Sequence, residues 1–235
     1  MTIKKIKELL NKNAYIRYIK FILLPAILSN KKKIKRNKRY HKYNLAALYS
    51  FQEAMNDINK KFWLDWGTLL GAVREKGFIE HDNDLDFGMY LSDFSDEIEK
   101  SLIKKGFEKL KKFEKNGDKK ALEFTYSFKG VQVDIFFYQK EGNHMVCHHF
   151  GKFDEPTINS NIKEGTCITF ENYCPLFELT DLKFQGRQFS IPKNIVEYLT
   201  NYYGTDFMKP VIETEYIPDK YSYTKPIGVG KYYLY

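Results

Sequence analysis

The sequence predicts an α+β protein: a mixed central β-sheet flanked by helices and preceded by a basic helical arm. Three observations predict it. Leu45, Leu48, Phe51, Met55, Ile58 and Phe62 recur at spacings of three and four, the period of an amphipathic helix. Two β-rich runs, 121–128 and 131–138, are separated only by Lys129-Gly130, which marks a tight hairpin. The first 43 residues hold 14 Lys or Arg against one acid, Glu8, so they form a separate basic segment.

Within that arm, the apolar stretch from Tyr15 to Leu28 is followed by the cationic run Lys31 to Arg39. The stretch is too short, and too charged at Arg17 and Lys20, to span a bilayer, which takes about 20 apolar residues. Two readings stand: residues 15–39 lie on an anionic membrane surface, or they form a helix docked on the body with a solvated charge run beyond it. On either reading the arm stands apart from the chemistry.

From Asn44, a plausible N-cap, the amphipathic helix runs to Phe62. Phe62 to Asp65 reads as a short strand, and Gly67-Thr68 begins a turn into a short helix at Leu69 to Val73. Leu85 to Tyr90 reads as a strand. Asp93 to Lys105 follows as a helix, stopped by Gly106. After the hairpin, β-like pieces at 145–150, 167–170 and 182–184 are separated by polar loops. Pro192 is placed in the first turn of a helix that Gly204 caps after Tyr203. The last residues, rich in Tyr and Pro, read as irregular chain. The expected division is an arm over 1–43, a catalytic domain over 44–210 and a tail over 211–235.

The composition, 43% hydrophobic and 17% aromatic, is that of a packed domain rather than a disordered chain. The overall charge of +8 is misleading, because the arm alone carries +13 and leaves −5 on the remainder. An acidic body argues against nucleic acid as substrate, since a groove that tracks a polynucleotide needs cations throughout. Three cysteines, an odd and sparse set, argue against a disulfide framework and for a reducing compartment. No cleavable signal is evident, and the cytoplasm is the expected location.

The chemistry concentrates between Trp66 and Phe87. Residues two apart in a strand face one side, so Asp84 and Asp86 present both carboxylates together with Leu85 turned inward. Two such charges call for a cation, and oxygen ligands suit Mg²⁺ or Mn²⁺. Taken alone the pair also fits an Asp-rich turn. Asp134 interrupts the apolar run Val131 to Phe137, where a charge needs a partner unless it faces solvent on an edge strand. A metal shared with Asp84 and Asp86 would be that partner, and Asp134 could then take the proton of an attacking hydroxyl. The backbone of Gly67-Thr68 and the Thr68 hydroxyl could receive a phosphate at the helix start, with Gly71 permitting close approach. Arg74 is the natural fork for phosphate oxygens, or a surface residue paired with Glu75 or Glu80.

Gly67-Thr68, a gap of 15 residues, Asp84-Leu85-Asp86 and the later Val133-Asp134-Ile135 together resemble nucleotidyltransferases of the DNA polymerase beta type. More narrowly, the run from Gly67 to Ile79 followed by Asp82-Asn83-Asp84-Leu85-Asp86 is similar to the LicD and fukutin family. Val133 to Phe136, Tyr198 to Gly204 and Met208 to Pro210 resemble its later segments, so the likeness covers about residues 44–210. The resemblance implies a nucleotidyltransferase fold and Mg²⁺-assisted transfer of a phosphorylated alcohol from a CDP-linked donor to a glycan hydroxyl, with release of CMP. It implies metal ligation by Asp84 and Asp86, and base action by Asp134. Asp82 matches a family acid ahead of the pair, as a ligand or a turn former. His81 stands where the family more often has Trp.

Such an enzyme would work at the inner face of the membrane, on an acceptor that could be lipid-linked. The same carboxylates would serve a nucleotidyltransferase acting on a small molecule, protein or RNA, and a degenerate member would bind membrane or nucleotide without turnover. His144, Cys147, His148, His149, Cys167 and Cys174 are candidate ligands for a structural Zn²⁺, but their spacing matches no compact zinc signature.

Overall fold

A computed structural model describes residues 24–115, 121–151, 153–159, 162–210 and 224–235. The chain is α+β, with a large mixed sheet and four α-helices among the described residues. In order, these are α1 (Leu24–Asp57), β1 (Trp63–Leu64), α2 (Trp66–Arg74), β2 (Asp84–Tyr90), α3 (Asp96–Lys104), β3 (Phe107–Lys115), β4 (Ala121–Phe128), β5 (Val131–Glu141) and β6 (His144–Gly151). They continue as β7 (Thr157–Asn159), β8 (Ile162–Pro175), β9 (Leu179–Phe184), β10 (Arg187–Pro192), α4 (Ile195–Tyr203) and β11 (Thr224–Leu234).

The strands hydrogen-bond in the order β1-β2-β5-β4-β3-β11-β8-β6, and β6 also pairs with the end of β5. The path therefore closes on itself from β5 round to β6, with β2 attached outside the ring and parallel to β5. β9 and β10 form a separate hairpin.

The parallel contact positions the site. It sets Leu85 beside Val133 and Phe87 beside Ile135, all fully buried. Against this apolar face packs α1: Phe51 lies stacked on Phe87 with ring centroids 3.9 Å apart. Burial of each such side chain stabilises the fold by about 1.5–3 kcal/mol. By the alternation of strands, Asp84, Asp86 and Gly88 face the other side.

Gly88 is obligatory on packing grounds. A Cβ there would stand 2.2 Å from the Trp63 ring, which fills the missing side chain's space where β1 pairs with β2. Gly88→Ala is expected to lower unfolding free energy by about 1–3 kcal/mol, the usual range for overpacking, as read from chemical denaturation.

The structure departs from the sequence reading in several places. The helix does not begin at Asn44 but runs unbroken from Leu24, so cationic run and amphipathic segment are one element. Asn44 is a buried interior residue of that helix. Residues 1–23 lie outside the described residues, and so does most of the apolar stretch of the arm. Among the described residues no helix is long and apolar enough to cross a membrane.

The C-terminal residues from Thr224 are not irregular: β11 sits between β3 and β8. Its Pro226 and Gly228 flank a register shift, which explains why they read as breakers. β3, rich in Lys and Glu, is a strand that the sequence pattern does not predict. Pro192 ends β10 rather than starting a helix; α4 begins at Ile195, and Gly204 closes it with φ +82°.

Candidate active site

The hairpin turn at Lys129 (φ +50°) and Gly130 (φ +84°) fixes the register of β4 on β5. It sets Thr125 opposite Asp134, and the parallel contact sets Asp134 beside Asp86. With Lys111 opposite Thr125, one row crosses four strands: Asp86, Asp134, Thr125, Lys111. The neighbouring row on the same face is Asp84, Gln132, Ser127.

Asp134 is held from both sides. Thr125 Oγ1 donates to its Oδ1 and Gln132 Nε2 to its Oδ2, each at 2.6 Å. Each oxygen keeps a second lone pair for another partner. Asp86 is held by the start of α2: the Gly67 N–H donates to Asp86 Oδ2 at 3.1 Å, and Thr68 Oγ1 accepts from the Asp86 N–H at 2.8 Å. Gly67 and Thr68 thus lie in the helix's first turn and bond the carboxylate strand, instead of presenting both groups to a phosphate.

A Cβ on Gly67 would lie 3.0 Å from Asp82 Oδ2 and 3.3 Å from Asp86 Oδ2, so its glycine lets these two carboxyls share one small space. Gly71 has a different use. A Cβ there would meet the Gly77 carbonyl at 2.7 Å, so its close approach is to the chain's own loop.

Arg74 is engaged within the protein. Its Nε bonds Glu75 Oε1 at 2.7 Å and its Nη1 donates to the Phe207 carbonyl at 3.2 Å. Its charge acts on Asp82 and opposes the rise of that carboxyl.

Asp65, which no sequence motif marks, anchors the turn. It is fully buried, accepts from the Trp66 N–H at 2.9 Å, and accepts from the hydroxyls of Tyr138 and Tyr198 at 2.7 and 2.6 Å. Trp66 takes a positive φ of +38°, a strained conformation for a bulky residue. Asp65 and the rings of Tyr202 and Phe136 hold it there.

The arm enters the site as well. Arg36 Nη2 donates to Asp84 Oδ2 at 2.6 Å, and Asn37 Nδ2 donates to the carbonyls of Glu80 and Asp82. His41 Nε2 donates to the Glu80 carbonyl. The basic arm is therefore part of the carboxylate loop's scaffold rather than apart from the chemistry.

These carboxyls repel one another in a poorly hydrated place. Burial and then Asp84 lift Asp82 to about 7, and the same causes lift Asp134 to about 6. Asp86 lies well above the carboxylate range through burial and then Asp84, Asp134, Asp82 and Asp65. Asp84 is raised by burial against the opposing pull of Arg36. Glu123, another residue outside every sequence motif, is pushed well up by burial and Asp134, with Lys111 opposing. Four aspartates in this state suit a hard cation with oxygen ligands, which would favour their charged forms. As the side chains stand, Asp84, Asp86 and Asp134 each accept from a protein donor, and among the described residues no three His, Cys, Asp or Glu enclose an ion.

A pH dependence follows. Unfolded carboxyls lose protons near 3.8, whereas folded Asp82 and Asp134 keep theirs to about 7 and about 6. The folded state binds more protons across that window, so their contribution to stability is fully present below about 3.8 and is lost as pH rises through 6 to 7. Denaturation midpoints in chelator are expected to fall from pH 4 to pH 7, and added Mg²⁺ to offset the fall at pH 7.

The cysteines lie elsewhere. All three are buried and free, and burial pushes the Cys147 and Cys167 thiols up to about 12. His148 stands 3.7 Å from Glu171, and the His149 ring stacks on Phe170.

A model of the LicD/FKTN/FKRP nucleotidyltransferase domain matches residues 59–194, more than half of the chain and all four aspartates of the site. The chain belongs to the LicD family. Among its relatives, Ribitol-5-phosphate transferase FKTN of Mus musculus and that of Homo sapiens are each 28% identical over 160 residues, covering 68% of this chain and 32% of theirs. Uncharacterized protein RP689 of Rickettsia prowazekii (strain Madrid E) is 38% identical over 95 residues, 40% of this chain and 32% of its own length. The chain thus spans about a third of the length of these relatives. The LicD match begins after α1 and ends before β11, so Arg36 lies outside it.

Proposed function

We propose that this LicD protein transfers a phosphorylated alcohol from a CDP-linked donor to a glycan hydroxyl and releases CMP, on a nucleotidyltransferase-type sheet. The observation that carries the reading is the in-register pair Asp86 and Asp134, flanked by Asp84 and Asp82, inside the segment matched by the family. The fukutin relatives, named as ribitol-5-phosphate transferases, support the class of transferred group.

Asp84, Asp86 and Asp134 would hold Mg²⁺ or Mn²⁺, which when bound supplies charge neutralisation at the transferring phosphate. The chain's own residues do the rest. Gly67 and Thr68 hold the Asp86 strand, and Thr125 and Gln132 hold Asp134, so the two carboxyls are kept side by side on one face. Asp134, beside Asp86 and held by Thr125 and Gln132, would accept the proton of the acceptor hydroxyl. Trp63, fully buried over Gly88, walls the same face of β2 and excludes water beyond the carboxylates.

Product analysis tests the proposal. With Mg²⁺, CDP-ribitol and a glycan acceptor, CMP and a phosphodiester-linked glycan are expected. Pyrophosphate release from CTP, with no CMP from the CDP donor, would favour nucleotidyl transfer instead.

A further inference from the structure

The acidic face has a cationic rim that the LicD match does not include. Between α1 and the β4–β5 hairpin runs a groove of about 390 Å³ lined by Lys35, Arg36, Arg39, Ser127, Gly130 and Gln132, with Leu110 of β3 beside them. Residues 35 and 39, and 36 and 39, are one helical turn apart, so the three cations share one face of α1. Gly130 makes room for Arg39: a Cβ there would lie 2.9 Å from Arg39 Cδ and 3.0 Å from its Nη1. Ser127 and Gln132 belong to the same row as Asp84, so the floor of the groove is continuous with the carboxylate face.

We infer that this groove is a phosphate-binding subsite, in which Lys35, Arg36, Arg39 and the Ser127 hydroxyl receive a phosphoryl group of a substrate reacting at the carboxylates. Three facts converge on an anion. Among the described residues Lys35 and Arg39 have no carboxylate partner, and only Arg36 is paired, to Asp84. Ser127, a mostly buried polar residue, lines the groove wall beside these cations. Lys111, whose charge reaches Asp84, Asp134 and Glu123, adds a fourth cation to this face.

The electrostatics require such a rim. A face of several carboxyls repels a phosphate, and one bound dication would cancel only part of that charge. Planar guanidiniums match phosphate oxygens in a fork geometry, and Arg36 already touches Asp84, so it can pass from carboxylate to phosphate by turning its head group. The subsite deepens the proposed transfer reaction and rests on it only for which substrate fills the groove.

The test is calorimetric titration of the full chain with inorganic pyrophosphate in chelator at low salt. Wild type is expected to bind, and the Lys35→Gln/Arg39→Gln double variant to bind at least about tenfold more weakly, since removing one charge-assisted hydrogen bond weakens binding by roughly a factor of ten. Both side chains are exposed, so an unchanged thermal midpoint would show the fold intact. Lys193→Gln, an exposed cation outside the groove, should leave affinity unchanged. Unaltered affinity in the double variant, or no binding by wild type, overturns the subsite. Competition by CDP would identify the donor's diphosphate as occupant. Competition by glycerol 3-phosphate alone would identify an acceptor phosphate, and would leave the subsite standing while the CDP-donor reading fails.

Discussion

Asp86→Asn is expected to lower turnover by about 10³-fold while leaving the protein folded. The size follows from the several kcal/mol a bound dication supplies to phosphoryl transfer, at about 1.4 kcal/mol per tenfold in rate. The intact fold follows from the local bonds. An asparagine oxygen can still accept from the Gly67 N–H, and the backbone bond to Thr68 is unaffected. The substitution also removes a carboxylate that four others crowd. At pH 7 without metal the variant should therefore be as stable as wild type or more so, by denaturant titration. A variant that lost activity because it unfolded would show the opposite.

Asp65→Ala is expected to have the largest effect on stability, about 4 kcal/mol. The change strips partners from two buried phenols and one N–H, and each buried group left unsatisfied costs about 1–3 kcal/mol. Costs above 4 kcal/mol are rare enough to identify a buried polar network. The consequences run to the site, because Asp65 holds the strained turn from which Gly67 and Thr68 reach Asp86. Asp65→Asn, which keeps an acceptor for the Trp66 N–H, should lose less. A loss below about 1 kcal/mol for the alanine variant, measured by chemical denaturation, would mean that α2 is held by other contacts.

The parts of this site that are readable in the sequence share one property: they are local. A strand's alternation puts Asp84 and Asp86 on one side, and a two-residue turn fixes the hairpin that carries Asp134. Thr125 is within reach too, since counting back from Lys129-Gly130 places it opposite Asp134. Arg36 is not, being one of many cations in its segment and meeting Asp84 across 48 residues of chain. β3 and β11 escape for another reason. In a sheet closed on itself, neighbours satisfy the backbone whatever the side chains, so a Lys-rich strand and a Pro/Gly-rich strand both fit. Asp65 looks like a strand end because its Tyr198 partner lies 133 residues away. Gly67 and Thr68 suggest a phosphate site because a helix start favours anions; in the fold the Gly67 N–H meets the Asp86 carboxyl and the Thr68 hydroxyl meets the Asp86 backbone N–H.

Divalent-metal binding by the aspartates is the claim on which the rest depends. Titration of Mn²⁺ into the chelator-treated protein, followed by electron paramagnetic resonance, reads it without any substrate. Wild type is expected to take up Mn²⁺, with Mg²⁺ competing, and Asp86→Asn to bind it at least about tenfold more weakly, the loss that follows from one ligand bond worth about 1.4 kcal/mol or more. Equal Mn²⁺ binding by wild type and Asp86→Asn, or none by either, would contradict it.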